Sequence, residues 1–435
     1  MSTKIKVLLV CHFSNASVRE MLPLDNRFLY NTIRRIIGES PKGVCYTDIA
    51  SWNTNFIDNF KRRDDVELVV VSAHSGLKRS VVEFCLDGVR YYFLKCELAT
   101  FLKRIIKSPK LWHSLNPMRP IVRKIVEKEH PDIVALMGAE NAYISGTVLG
   151  LEKKYPVIFK AQTIYNNPER GKYGVVDSKN AYVERLIFDN ITYASVTTKM
   201  HYKLYRTFNA TSYNFPWSLG TTYPDVKQDI PKEFDFVNFA ASMVDSKGYA
   251  DAIRALAIVK NRYPNVTLNL VGTPTPDVKQ KYDSLILELG IANNVVFTPS
   301  FENQSDVFMH IQKSRFALLP YKLDYIASTT YQSMYYGLPV VCYKTEGTPT
   351  LNKNNECVLI ADMNDVEMLA EKMCLLLADK NKVETLRLNA RSLVDSKNDG
   401  KKISDEILNG FRAIINHFKF NQEIDERLIC NPLAK

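Results

Sequence analysis

The chain has 435 residues, with 57 Lys and Arg against 47 Asp and Glu, for a formal net charge of +10. That length predicts two domains, and a 46% hydrophobic content fills two ordinary globular cores, which excludes a disordered or fibrous chain. No apolar stretch approaches a membrane span, and the eight cysteines show neither Cys-x-x-Cys pairs nor metal-ligand spacing, which points to reduced thiols in the cytoplasm.

In chain order, residues 4–10 read as a first buried strand rather than a secretory leader, since no small-residue cleavage site follows. A long polar stretch precedes a helix over 47–61, which ends in the cationic Lys61-Arg-Arg63. Strands are expected at 66–71, 91–94, 131–136, 156–159 and 193–197, and helices at 121–129, 142–153 and 181–189. Residues 99–130 carry eight basic side chains against Glu127 and Glu129, interleaved with Phe101, Leu102, Ile105, Ile106, Leu111 and Trp112. That pattern suits a helix lying on an anionic membrane surface, and equally a solvated helix pair covering a sheet. No nucleic-acid recognition motif accompanies the charge, so no nucleic-acid partner is expected.

The pattern pauses around 215–217, and a second alternating series begins. Strands are expected at 234–240, 266–271, 295–297, 316–319, from 340 onward and at 358–360. Helices are expected at 250–261, 278–289, 329–336, 366–378 and 383–396, with a last one at 403–418. Apolar strands alternating with helices mean parallel sheets covered on both faces. The fold class is therefore α/β: two doubly wound, Rossmann-like domains of similar size, facing a cleft that is the default ligand site. The expected bounds are 1–214 and 215–402, followed by a helix and tail at 403–435.

Ligands of open parallel sheets sit at the carboxyl ends of the strands. The polar residues expected there are His12, Glu140, Gln162, Thr273, Ser300 and Asp324. Each alone reads as a loop residue or cap; as a set they frame one site. The segment 315–345 reads as strand, loop, short helix, strand. Asp324 lies in its loop, Ser328 is the expected N-cap, Thr329 and Thr330 open the helix, and Gly337 and Pro339 end it. A carboxylate before a hydroxyl-rich helix start suits a ligand that carries hydroxyls and phosphates, although an ordinary capped helix has the same look. Lys247-Gly248, after one strand and just before a helix, adds a cation able to neutralise a diphosphate; its position relative to Asp324 sets it apart from a surface lysine in a turn.

Several short motifs occur in a telling order: Lys247-Gly248, Leu270-Val-Gly272, Val295-Val-Phe297, Ala317-Leu-Leu-Pro320, Gly337-Leu-Pro-Val-Val341, Glu346-Gly-Thr348, and Val358-Leu-Ile360 with Asp365. The order and spacing resemble the nucleotide-sugar-dependent glycosyltransferases of the GT-B fold, specifically the retaining family 4 (glycosyl transferases group 1), with this chain as a divergent member. The resemblance is close over 234–377 and looser in the first half, where residues 4–10, Trp52, 131–134 and Glu184-Arg185 fit the layout.

The resemblance implies roles. Asp324 and Gln332 stand eight positions apart, where the family carries two glutamates. Asp324 would hold donor-sugar hydroxyls and Gln332 the ribose diol. Lys247, with the N–H groups of Ser328, Thr329 and Thr330, would stabilise charge growing on the leaving nucleoside diphosphate. Ser242, which replaces the family's arginine five positions before Lys247, would complete the donor side with Gly272 and Thr273. His12, Glu140 and Gln162 would face the acceptor. Phe13-Ser-Asn-Ala-Ser17 stands where a glycine-rich loop is usual. The implied activity moves a sugar from a UDP- or GDP-linked donor to a saccharide or lipid-linked acceptor, with retention. The implied setting is cell-surface polysaccharide biosynthesis, in the cytoplasm or peripherally on the inner face of the membrane. The nucleotide-sugar is a co-substrate and no cofactor is expected; with no Asp-x-Asp motif, neither is a metal. Domain closure would exclude water. The last helix would return to the first domain. The departures at 242, 324 and 332 also suit a non-catalytic relative acting as a nucleotide-binding or partner subunit. A dehydrogenase is disfavoured, because no Gly-x-Gly-x-x-Gly turn follows Val10.

Overall fold

The computed structural model describes residues 4–434 except 26–27, 37, 39–42, 44–47, 173–176, 219–222, 224–225, 227–229 and 241. Two compact units emerge. One runs up to residue 222 and recruits the segment from Gly400 onward; the other is built on Tyr223–Asp399.

The strands of the first unit are β1 (Ile5–Val10), β2 (Val66–His74), β3 (Val81–Leu86), β4 (Val89–Lys95), β5 (Ile133–Met137), β6 (Val157–Lys160), β7 (Tyr193–Ser195) and β8 (Tyr213–Asn214). Its helices before residue 222 are α1 (Ala16–Glu20), α2 (Phe28–Ile36), α3 (Ser51–Phe60), α4 (Glu97–Ile105), α5 (Pro109–Ser114), α6 (Met118–Glu129), α7 (Ala142–Ser145), α8 (Ser178–Asn190) and α9 (Lys199–Phe208). The sheet order is β3-β4-β2-β1-β5-β6-β7-β8, parallel throughout except for β3. Strand β1 is apolar nearly end to end because both of its faces are covered. Val7 and Leu9 enter one core and Leu8 and Val10 the other.

Three expectations are corrected here. The helix expected over 142–153 is only the single turn α7 and a 3-10 turn at Gly146–Val148; Gly150, at φ +94°, adopts a backbone no right-handed helix contains. The basic stretch forms three helices rather than one or two. The expected domain boundary at 214 falls too early, because Phe215 and Trp217 are buried in the first unit's core.

The second unit contains β9 (Phe234–Phe239), β10 (Leu268–Val271), β11 (Val295–Thr298), β12 (Ser314–Leu319), β13 (Val340–Tyr343) and β14 (Leu359–Ala361). Its helices are α10 (Tyr249–Lys260), α11 (Pro276–Glu288), α12 (Gln304–Ile311), α13 (Ser328–Tyr335), α14 (Val366–Ala378) and α15 (Lys380–Lys397). The sheet is wholly parallel in the order β11-β10-β9-β12-β13-β14. Strand order therefore reverses between β9 and β12, and the carboxyl edge at such a switch point is where open α/β sheets take their ligands. The fold class is α/β, two Rossmann-like units.

The C-terminal helix Gly400–Phe420 packs on the first unit. Ile403, Ile407, Leu408, Phe411, Ile414 and Ile415 share a core with Phe56, Phe60 and Trp217. Phe411 meets Trp217 edge to face at 5.5 Å between ring centres. Arg63 and Arg412 both reach Asp65, tying the helix to the start of β2.

Candidate functional site

Lys247 and Asp324 meet at the switch point of the second unit's sheet, on the loops after β9 and β12. Lys247 ends a short 3-10 turn after β9, and Asp324 lies in the loop after β12. They form an ion pair through Lys247 Nζ and Asp324 Oδ2. The two loops are laced together around that pair. Lys322 N–H donates to the Ser246 carbonyl at 2.9 Å, and the Tyr321 hydroxyl donates to the Phe239 carbonyl. The Lys247 ammonium sits 4.5 Å from the centre of the Tyr321 ring, a cation–π contact that fixes its direction. Burial holds the Tyr321 phenol protonated, with its ordinary value shifted upward. One layer below, Asp251 in the first turn of α10 receives Lys322 Nζ at 2.6 Å and the Tyr343 hydroxyl at 3.0 Å. This buried carboxylate anchors the β12 loop from beneath.

The helix that follows offers open donors. Ala327, not Ser328, is the N-cap of α13, in extended backbone and with no side-chain hydrogen bond. Ser328 is already helical, so its hydroxyl cannot cap, and the expectation that it would is corrected. The N–H of Thr330 is spent on the Ala327 carbonyl at 3.0 Å. That leaves the N–H groups of Ser328 and Thr329 without a partner among the described residues, an anion-binding start to the helix. Gln332 lies one turn deeper and is only 5% exposed. Gly337 at φ +75° ends the helix, with Leu338 N–H returning to the Ser333 carbonyl at 2.9 Å.

The remaining donor-side residues follow neighbouring strands. Gly272, after β10, takes φ +147°, and a Cβ there would stand 2.8 Å from Met243 Cγ. Thr273 is exposed and accepts from Ser300 N–H at 3.1 Å. Ser242 is exposed in the β9–α10 loop and makes no hydrogen bond among the described residues. Tyr321 and Lys322 were missed by sequence reasoning, because a ring under an ammonium and a lysine reaching a remote aspartate leave no local signal.

In the first unit, His12, Glu140 and Gln162 follow β1, β5 and β6, three adjacent strands, so they share one carboxyl edge. The Tyr143 hydroxyl lies 3.2 Å from His12 Nδ1. Burial and the neighbouring His74 lower the His12 imidazole to about 4, so it is neutral at physiological pH. Gln162 Nε2 contacts Met137 Sδ at 3.3 Å. The Glu140 side chain folds over Gly138, whose φ of +80° and missing Cβ leave room for it. Its Oε2 is shielded and unpaired, although the residue as a whole is partly exposed. Burial, helped by the charge of Glu184, pushes this carboxyl up to about 7. Glu184 itself is fully buried and holds the loop beyond β6 by accepting from Tyr165 N–H at 2.9 Å and Asn166 N–H at 2.8 Å.

Because its folded-state value lies above the ordinary 4.5, the fold favours protonated Glu140. That contribution is complete below about pH 4.5 and is lost as pH rises through about 7, totalling up to about 3 kcal/mol. Glu140→Gln is expected to exceed the parent in stability at about pH 8 and to match it at about pH 4. Urea unfolding at the two pH values measures this; an equal difference at both would remove the assignment.

Residues 225–393 match the family model Glycosyl transferases group 1. No curated protein matches the sequence. Among solved structures, a sucrose-phosphate synthase from Thermosynechococcus elongatus superposes with a TM-score of 0.67 at 15% identity, covering 94% of this chain and 98% of that one. HepE of Anabaena, in complex with UDP and glucose, gives 0.61 at 15% identity, covering 94% and 99%. An α,α-trehalose-phosphate synthase (UDP-forming) from Burkholderia vietnamiensis gives 0.66 at 10% identity, covering 96% and 98%. At such identities the likeness concerns the fold alone. The chain has the two-unit α/β fold of the GT-B glycosyltransferases, and its second unit, which holds Lys247 and Asp324, carries the Glycosyl transferases group 1 match.

Proposed function

We propose that the protein transfers a sugar from a nucleoside diphosphate donor to a saccharide or lipid-linked acceptor. The observation that carries this reading is the Lys247–Asp324 pair beside the open N–H groups of Ser328 and Thr329, all within the family-matched segment. The bond from the anomeric carbon to the diphosphate breaks, and one to an acceptor hydroxyl forms. Negative charge grows on the departing phosphate, where Lys247 and the start of α13 supply a cation and two donors without a divalent metal. Asp324 orients the hydroxyls of the donor sugar, and Gln332 is assigned to the ribose. His12, Glu140 and Gln162 are assigned to the acceptor, and retention of configuration to the reaction. UDP appears with HepE, and the trehalose-phosphate synthase is UDP-forming, so uridine is the first nucleoside to try. No disulfide joins the seven described cysteines, in keeping with a cytoplasmic role in polysaccharide assembly.

A thermal-shift panel of UDP, GDP and their sugar conjugates tests the donor assignment, since a ligand bound only by the native state raises apparent stability. We expect one nucleotide series to raise the midpoint of the parent and to lose that effect in Lys247→Ala. Stabilisation without release of nucleoside diphosphate in the presence of acceptors would point instead to a nucleotide-binding subunit.

A further inference from the structure

We propose that α4 and α5 form a docking face for an anionic membrane surface. Residues 98–126 contain seven Lys or Arg and no Asp or Glu. Within this stretch Leu98 and Ile105 of α4, with Leu111 of α5 and Leu115 at its C-cap, are each half exposed or more. Leu98 and Ile105 are two turns apart on one helical face, and Leu111 and Leu115 one turn apart on another. The inward faces are already accounted for by Ala99 and Trp112, which are fully buried, and Leu102 and Ile106, which pack against the core. A helix that merely covers a sheet turns polar residues outward; here four large aliphatics point out instead. Arg104, Lys107 and Lys110 are exposed beside them. Lys103 is held by Asp177 at 2.7 Å. Aliphatics rimmed by cations match an interface in which acyl chains lie beneath phosphate headgroups. No helix among the described residues is long and apolar enough to cross a membrane.

Both ends of this face are tied to the carboxyl edge of the first sheet. Glu97, which opens α4, accepts from Gly76 N–H. Asn116, just after α5, donates to the Tyr143 carbonyl at 2.8 Å, and the Tyr143 hydroxyl meets His12. Docking through α4 and α5 therefore fixes the edge bearing His12 and Glu140 relative to the lipid surface, which suits a lipid-linked acceptor. That last step rests on the transferase reading; the docking itself does not.

Sedimentation of the full chain with vesicles, without any nucleotide-sugar, separates the two. Phosphatidylglycerol-rich vesicles are expected to carry the protein down at low salt, and high salt to release it. Pure phosphatidylcholine vesicles are expected to leave it in solution. Lys107→Ala with Lys110→Ala is expected to weaken partitioning roughly 30-fold, from about 1 kcal/mol per basic side chain. Leu111→Ser with Leu115→Ser is expected to weaken it as well, and neither pair to alter the melting midpoint, since all four side chains are exposed. Failure to bind anionic vesicles at low salt would overturn the proposal. So would equal binding by the parent and both variants, or self-association abolished by Leu111→Ser, which would assign the face to a second copy of the chain.

Discussion

Lys247→Ala is expected to lower the turnover of sugar transfer about 100- to 1,000-fold while leaving the protein folded. The size follows from removing one preorganised charge at the atom where negative charge develops, an effect of roughly that magnitude in sites built for the purpose. The small structural cost follows from exposure. The Lys247 side chain is 23% exposed and its partner Asp324 35%, so the pair is screened by water and contributes about 0–1 kcal/mol to stability. The activity loss and the unfolding midpoint should therefore separate cleanly. Release of nucleoside diphosphate gives the first and urea unfolding the second. A turnover within a few-fold of the parent would remove Lys247 from the chemistry. A collapse of the midpoint would make it a structural residue instead.

Gly248→Ala should do the reverse, harming fold and activity together. Gly248 sits at φ +64° between Lys247 and the first residue of α10. A Cβ there would stand 2.1 Å from the Pro320 carbonyl oxygen, a backbone atom that cannot rotate away. The left-handed backbone costs an alanine about 1–2 kcal/mol. Forcing the β9 and β12 loops apart adds about 1–3 kcal/mol. Gly290 provides the control, because it has the same φ of +64° and a Cβ added there would meet nothing within 4 Å. Gly290→Ala should show only the backbone cost. Equal midpoints for the two variants would mean that the contact between the loops carries no energy. If Gly248→Ala is destabilised yet turns over normally, the Lys247–Asp324 spacing is not what the reaction depends on.

The alternating architecture was legible because strands buried on both faces become continuous apolar runs, as at residues 7–10 and 316–319. The order of those strands was not legible, since nothing in a run of valines records its neighbours. The β3–β4 hairpin was legible and passed over: Asp87-Gly88 joins two apolar segments, and both residues take positive φ, as a two-residue hairpin turn demands. The α13 N-cap misled in the opposite way, because a serine in the right place had no need to cap when the chain turned at Ala327. Lys247 and Asp324 could be named from their separate motifs. Their contact, and the tyrosine ring that orients the lysine, arise from segments 77 residues apart and are visible only in three dimensions.

The return of the C-terminal helix to the first unit bears on the order in which this chain can be built. During vectorial synthesis Tyr223–Asp399 emerges whole, with every strand of its sheet, before the first unit has its last piece. Until residues 403–415 leave the ribosome, the surface formed by Phe56, Phe60 and Trp217 lacks the side chains that cover it. The later-encoded unit is thus free to close first, and the earlier one waits with sticky aromatic surface exposed, the situation in which nascent chains draw on chaperones.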